Sequence, residues 1–397
     1  MKKILLLTAS FVFICGSLFS QVKADIARFE GIAKGVKSQF APDRRAKVFE
    51  AKIEVAKDSS LVLRGSTTEK EAKAELLKQL ASSGITVTDK MVLLPDPQLG
   101  DKTYGLTAQS VINFRYGPDY SEESATQTIL GMPLRILEKS GGWYRCITPE
   151  GYIAWVSGSS VQPMNEKEYS EWKSSPKLII TTHYTLFREE PSEKSTVVMD
   201  GVWGNVVVKS GESGNWYKVA LPNGKSAYLL KSCAADFNKW LDSRNITPES
   251  LVATAKQFLG FPYMWGGTSI KAVDCSGFTK SVYFLNGVIL ERDASQQALT
   301  GEHVDISAGY GNLKVGDLLF FGTKASEGKR ERITHVGMYI GNGRFIHSAG
   351  YVHINSLNTS DPDYNDVEKR LVRARRVLTK IDGDEGIVSI KKHPWYF

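Results

Sequence analysis

The chain has 397 residues, of which 42% are hydrophobic and 23% charged, and 50 Lys+Arg against 43 Asp+Glu give a net charge of +7. That length suggests two to four domains, and the composition excludes a disordered, collagenous or multi-span membrane chain. The basic excess is spread out, with no run of five basic residues, so it does not point to nucleic acid. Four cysteines are too few for a disulfide scaffold.

Lys2 and Lys3 precede an apolar stretch from Ile4 to about Phe19, followed by small and polar residues up to Asp25. The apolar core is shorter than the ~20 residues a bilayer span needs and reads as a secretory signal over residues 1–24. Cleavage is expected after Ser20 or Ala24. Ile14 is bulkier than a lipidation signal before Cys15 admits, so the expected product is exported, periplasmic or extracellular, without a lipid anchor. Cleavage removes Lys2, Lys3 and Lys23, leaving 47 basic against 43 acidic residues, a net +4. It also leaves Cys146, Cys233 and Cys275. With an odd count, at least one thiol has no partner within the chain.

Residues 25–100 read as a small α/β unit. Val48–Val55 and Leu61–Arg64 are expected strands around the turn Lys57-Asp58-Ser59-Ser60. Thr68 with Glu71 predicts a capping box opening a helix with Ala72, Leu76, Leu77 and Leu80 on one stripe and Gly84 ending it. Ile85–Val87 and Met91–Leu94 complete the unit. No residue type here carries chemistry, which implies a spacer or packing role.

An internal repeat follows. Phe114-Arg115, Trp143-Tyr144, Pro149, Gly151 and Trp155 recur as Phe187-Arg188, Trp216-Tyr217, Pro222, Gly224 and Tyr228, always 73 residues later. A constant offset implies two copies of one domain, over 101–162 and 177–235, joined by the polar stretch Gln162–Lys177. Short alternating runs separated by Gly, Asn and Pro turns predict small β-barrels with Trp143, Trp155 and Trp216 in their cores. The pattern Asn113-Phe114-Arg115-Tyr116-Gly117-Pro118, the Gly-Trp-Tyr centre and the Gly-Tyr-x-x-Trp-Val exit resemble bacterial SH3-like domains. Tyr152 follows Gly151 in the first copy, whereas Lys225 follows Gly224 in the second. A tyrosine kept for the fold would appear in both, so Tyr152 is a candidate for a role outside its own barrel.

From about 245 the pattern becomes α+β. Thr247-Pro248-Glu249 is a helix start. A Gly/Pro/aromatic loop runs from Gly260 to Gly267, and Asp274-Cys275-Ser276-Gly277-Phe278 opens a second helix. A cysteine in the first turn meets free N–H groups and the positive end of the helix dipole, which favour thiolate. Two histidines, His335 and His347, flank the hairpin sequence Gly341-Asn342-Gly343. If that three-residue loop closes so that Ile340 pairs Arg344, His335 falls opposite Ala349 and His347 becomes its diagonal neighbour on the same face. A two-residue loop would put the imidazoles on opposite faces. No Cys-x-x-Cys or His-x-x-x-His pair supports a metal site.

These residues resemble the NlpC-type cell-wall cysteine peptidases, a circularly trimmed papain-like fold. The resemblance rests on Pro-Tyr-x-Trp-Gly-Gly (262–267), Asp-Cys-Ser-Gly-Phe (274–278), Gly-Asp-Leu-Leu-Phe-Phe (316–321) and His-Val-Gly-Met-Tyr-Ile-Gly (335–341), with His347 beyond. It implies Cys275 as nucleophile, His335 as general base and acid, His347 as the residue orienting it, and Tyr263 as an oxyanion donor. Two SH3-like domains ahead of such a domain resemble the γ-D-glutamyl-L-diamino acid dipeptidyl peptidases of peptidoglycan recycling. That implies a substrate of the form L-Ala-γ-D-Glu-diamino acid, held in part by the first barrel, with no cofactor. Substrate contacts implied by position are Tyr152, Glu123, Asp274, Ser276, Asp293 and Ser295. Alternative readings are an endopeptidase or amidase on intact peptidoglycan, or a non-catalytic wall-binding protein. The expected architecture is multidomain α+β: a small α/β unit, two SH3-like barrels and a papain-like domain over 245–397.

Overall fold

A computed structural model describes residues 4–383 and 386–397, with backbone alone for residues 4–20 and 368. The chain divides into two units, residues 1–99 and 100–397.

In the first unit a helix runs from Ile4 to Phe40, without a break at either expected cleavage position. Residues 1–3 of the expected signal lie outside the described residues. No helix among the described residues is long and apolar enough to cross a membrane. The later part of the helix was not foreseen, although Phe29, Ile32, Val36 and Phe40 recur at helical spacing. Phe29 and Val36 are buried in one cluster with Phe49, Leu63, Leu76 and Leu80. Phe49–Val55 and Leu61–Thr67 form an antiparallel hairpin. Val87–Asp89 and Val92–Leu93 join Leu61–Thr67 in parallel, so the helix Lys70–Ser82 is a crossover. The expected Thr68/Glu71 capping box does not form: Glu69 holds the cap position without a side-chain bond. Thr68 is still bound to the sheet, its N–H donating to Val48 O at 3.1 Å.

In the second unit the 73-residue offset extends to the strands. Tyr104–Thr107, Val111–Arg115, Pro133–Ser140, Trp143–Ile147 and Ile153–Ser157 recur as Lys177–Ile180, Tyr184–Arg188, Val206–Ser213, Trp216–Ala220 and Ser226–Leu230. The bulges at Phe114/Arg115 and Ile136/Glu138 recur at Phe187/Arg188 and Lys209/Gly211. Trp155 and Trp216 are buried as expected. Trp143 is half-buried, edge-on to the exposed Tyr120.

The polar stretch expected as a linker is structured. Val161–Met164 is the last strand of the first barrel, and Asn165 caps the helix Glu166–Ser174 reciprocally with Glu168, at 2.8 and 2.9 Å. Its Tyr169 and Trp172 are buried. The signal overlooked was the Asn-x-x-Glu box followed by aromatics three apart. Arg135 is enclosed by Tyr104, Tyr169 and Trp395, its guanidinium 4.4–4.6 Å from each ring centre. This contact ties the first barrel, the helix and the C-terminal segment together.

The third part packs two helices, Pro248–Lys256 and Cys275–Leu285, on a six-stranded antiparallel sheet. Its strand order is Glu302–Val304, Leu371–Arg376, Leu318–Thr323, Arg332–Gly341, Arg344–Ala349, Tyr351–Ser356. Phe278 and Val282 from the second helix meet Leu318, Phe320, Val336, Met338 and Ile346 in the core.

The barrels meet at equivalent glycines. A Cβ on Gly131 (φ +76°) would lie 1.9 Å from Val206 O, and Val206 N donates to Leu130 O at 2.9 Å. Its repeat partner Gly204 (φ +90°) faces Ile129 and Phe284. Gly131→Ala is therefore expected to destabilise by about 2–4 kcal/mol, from positive-φ strain plus backbone displacement. Gly141→Ala, also at positive φ but facing open space, is expected to cost about 1 kcal/mol. Chemical denaturation of both variants checks this, and equal losses would refute the close-approach explanation.

Candidate active site

Cys275 is the first residue of the helix Cys275–Leu285 and is almost wholly buried. Asp274 caps that helix, its Oδ1 accepting from Gly277 N at 2.7 Å. The same carboxylate accepts from Gly266 N at 2.9 Å, which fastens the Gly/Pro/aromatic loop beside the thiol. Arg292 binds it bidentately, at 3.2 Å to Oδ1 and 2.6 Å to Oδ2. The thiolate expected from the helix terminus does not follow in this setting. Burial pushes the Cys275 thiol up to about 12 and the Asp274 carboxylate adds to it, against the lowering effects of the Val336 and Ser276 N–H groups and Arg292. The cap that holds the helix also offsets the positive end of its dipole.

The strands Arg332–Gly341 and Arg344–Ala349 bring the histidines together. Gly337 pairs His347, Met338 pairs Ile346 and Tyr339 pairs Phe345, the expected register. Its closure differs from expectation. Gly341 pairs Arg344 around a two-residue Asn342-Gly343 turn, and the extra residue is taken up by an irregularity between Tyr339 and Gly341. Asn342 (φ +52°) and Gly343 (φ +70°) both have the positive φ of a type I′ turn, which suits the strand twist. The two imidazoles therefore share a face, with His335 Nε2 and His347 Nδ1 2.7 Å apart. His347 Nε2 lies 2.8 Å from Asn355 Oδ1. With Nε2 of His335 engaged, Nδ1 is its remaining ring nitrogen, and the N–H of the next residue, Val336, donates to the Cys275 sulfur. Burial, then His347, pulls His335 down to about 3. Burial also brings His347 down to about 4, outweighing the Asn355 bond. At neutral pH the site holds a neutral thiol beside neutral imidazoles.

Tyr263 pairs its backbone with Gly350 and Val273, and its hydroxyl is close enough to Cys275 to interact electrostatically. Burial, then Cys275, pushes the phenol up to about 12, so it remains a hydrogen-bond donor.

The cleft at Cys275 has a volume of about 830 Å³ including its open mouth, and Tyr116 and Ala125 of the first barrel are among its lining. Tyr152, 1% exposed, donates to Asp293 Oδ2 at 3.4 Å and meets the Tyr116 hydroxyl at 3.1 Å. Arg292 crosses the same junction, its Nε donating to Thr126 Oγ1 at 2.8 Å. Ser276, Asp293 and Ser295 line the cleft with Cys275. Asp274 lines it too, but both its oxygens are already used by the loop, the helix and Arg292. Glu123 is not brought in: it is exposed on the loop before the strand Ser124–Ile129, whereas Asp293 lines the cleft, bound by Tyr152 and 3.8 Å from Arg292. Sequence reasoning missed Arg292 as a site residue, along with Tyr116, Trp265 and Asn355. Arg292 carried a signal as a basic residue beside an expected site acid, and Trp265 and Tyr116 lie within motifs read only for the fold; Asn355 carried none.

Residues 260–376 match the NlpC/P60 family, and residues 115–161 match the bacterial dipeptidyl-peptidase SH3 domain. A Bacillus cereus gamma-D-glutamyl-L-lysine dipeptidyl-peptidase is 33% identical over 245 residues, 59% of this chain and 71% of that protein. A Bacillus subtilis protein of the same name is 28% identical, over 64% of this chain and 81% of its own length. The crystal structure of a Bacillus cereus NlpC/P60 family protein superposes with a TM-score of 0.58 at 26% identity, covering 69% of this chain and 99% of that one. With its two SH3-type barrels and its buried cysteine beside paired histidines, the chain belongs to the NlpC/P60 family of cysteine peptidases.

Proposed function

We propose that this peptidase hydrolyses the γ-D-glutamyl–L-diamino acid bond of peptidoglycan stem peptides bearing a free N-terminal L-alanine, acting after export in cell-wall turnover. The observation that carries this reading is the meeting of the first barrel with an acid at the cleft. Tyr116 and Asp293 both line it and Tyr152 bonds to each, which supports a site bounded by the barrel with a carboxylate to receive an ammonium.

In this reading Cys275 is the nucleophile. His335 takes its proton through Nδ1 as the sulfur attacks the γ-carbonyl carbon. The tetrahedral oxyanion is held by the Cys275 N–H and the Tyr263 hydroxyl. Protonated His335 then donates to the leaving amine, and the C–N bond breaks. Water, deprotonated by the same imidazole, attacks the thioester and releases the dipeptide acid. His347 orients His335. Asp293, supported by Tyr152, receives the alanine ammonium, while Ser276 and Ser295 face the glutamyl carboxylate. Asp274 holds the loop and helix in place, and Glu123 stands outside the cleft as a charge on the approach.

Cys275→Ala is expected to lower hydrolysis of L-Ala-γ-D-Glu-diaminopimelate at least about 10⁴-fold while the protein stays folded. N-acetylation of that peptide is expected to reduce kcat/KM about 10²-fold, because it removes the charge that Asp293 would receive and adds bulk beside it. Equal cleavage of blocked and free peptides would instead favour an endopeptidase on intact wall.

Asp293→Asn is expected to lose most of this preference for the free amine, whereas Glu123→Gln should keep it within about threefold of wild type. The reverse ranking, measured as the free-to-acetylated ratio of kcat/KM, would move the ammonium site to Glu123.

Both imidazoles are held below their usual range, so the acid limb of kcat/KM is expected below pH 5.5 rather than near 6.5. The sign for stability is the same. Between about pH 3 and 6.5 the unfolded chain binds more protons at these sites than the folded chain. Stability is therefore full above pH 6.5 and falls as the solution is acidified. A His335→Gln/His347→Gln protein whose melting temperature falls with acid as steeply as wild type would contradict this origin.

A further inference from the structure

We propose that Asn355 is a positioning residue: it holds His347 as the Nε2–H tautomer and thereby leaves Nδ1 of His335 free to accept the Cys275 proton. The proposal deepens the cysteine-peptidase reading and rests on it. The geometry allows one assignment at each step. Asn355 Nδ2 lies 2.9 Å from the backbone carbonyl of Asp363, which can only accept, so this end of the amide is the NH2. A flipped amide would set two oxygens against each other there. The other end, Oδ1, can only accept, and it faces His347 Nε2 at 2.8 Å. His347 therefore carries its proton on Nε2. A neutral imidazole has one N–H, so its Nδ1 is an acceptor, and the 2.7 Å contact makes His335 Nε2 the donor. The remaining lone pair, on His335 Nδ1, is then the base. With His347 in the other tautomer, His335 would present an N–H to the thiol and could not take its proton.

The amide is itself anchored. Asn365 Nδ2 donates to Asn355 Oδ1 at 3.2 Å, filling its second lone pair. The turn carrying Asp363 and Asn365 is fastened by Ser356 N to Asp363 O at 3.0 Å and by Ser356 Oγ to Asp361 Oδ2 at 2.6 Å. An Arg344–Asp363 ion pair at 2.9 Å ties it back to the histidine hairpin. The charged and titratable groups around His347 are His335, His353 with ring centres 4.5 Å away, the Arg344–Asp363 pair and, beyond His335, Arg370. His353 Nδ1 faces its own acceptor, Tyr351 O, at 2.9 Å, so it does not compete for the Asn355 oxygen. Neither asparagine stands out in sequence; the fold places them at the end of the relay.

The tautomer can be read directly. Long-range 1H–15N correlation on 15N-labelled Cys275→Ala protein at pH 7.5 should show His347 protonated at Nε2 and His335 protonated at Nε2. In an added Asn355→Leu background the His347 proton should redistribute toward Nδ1. In the catalytic background Asn355→Leu should lower kcat about 10–100-fold with KM within twofold, since the cost falls on proton transfer. Asn355→Asp keeps the accepting oxygen and adds a negative charge. It should keep kcat within about tenfold and move the acid limb of kcat/KM up by about one pH unit, a shift that a purely structural role would not produce. His347 protonated at Nδ1 in the parent, an unchanged tautomer and kcat in Asn355→Leu, or an unmoved acid limb in Asn355→Asp would each overturn the proposal. If Asn355→Leu fails to fold, the parent spectrum and the Asn355→Asp profile decide it. Because the tautomer is read without substrate, a wrong substrate assignment leaves that result standing.

Discussion

The buried pair between Asp274 and Arg292 holds the site together. Arg292 is 1% exposed and Asp274 4%, and the two share a bidentate contact. Removing one partner of such a pair costs about 3–5 kcal/mol, because the other charge is left without water or counterion. Here the pair also determines geometry. The Asp274 carboxylate caps the cysteine helix and pins Gly266, while the guanidinium reaches Thr126 in the first barrel. Cysteine helix, loop and barrel are therefore located by one planar fork. A lysine could supply the charge but not the four directed contacts of Arg292.

That arrangement has a chemical cost. An acid beside a buried thiol disfavours the thiolate, and the neighbouring imidazoles are too desolvated to be protonated at neutral pH. The resting thiol and imidazoles are uncharged, and in the proposed mechanism charge separates between them only as the sulfur attacks. The proposed mechanism accordingly relies on donors fixed where charge would appear: the Cys275 N–H, the Tyr263 hydroxyl and the histidine pair.

Much of this was legible in sequence, for identifiable reasons. The 73-residue offset reached individual strands and both bulges because a duplicated barrel keeps its register residue by residue. The histidines share a face as expected, but not by the expected closure: the loop has two residues, and a bulge between Tyr339 and Gly341, which counting along the strands does not reveal, restores the parity. What stayed hidden involves partners far apart in the chain. Arg292 reads as an ordinary basic residue until Thr126 is beside it. Asn355 and Asn365 acquire a purpose only when a returning turn sets them behind His347. The helix-terminus argument for a thiolate failed because it considered the dipole without the carboxylate that caps it. The residues expected to be a linker form a helix because two aromatics needed a surface to cover.

The irregular residue in the histidine hairpin has a consequence for descent. Ile340 is absorbed between the Tyr339–Phe345 and Gly341–Arg344 pairs, so a lineage that dropped its codon would still pair Gly337 with His347 and keep both imidazoles on one face. A slip at constant length would not. If Ile340 paired Phe345 in place of the bulge, Met338 would face His347 and His335 would turn to the opposite side of the sheet. The hairpin can therefore shorten by that residue at no cost to the pair, whereas straightening it without shortening separates the two rings.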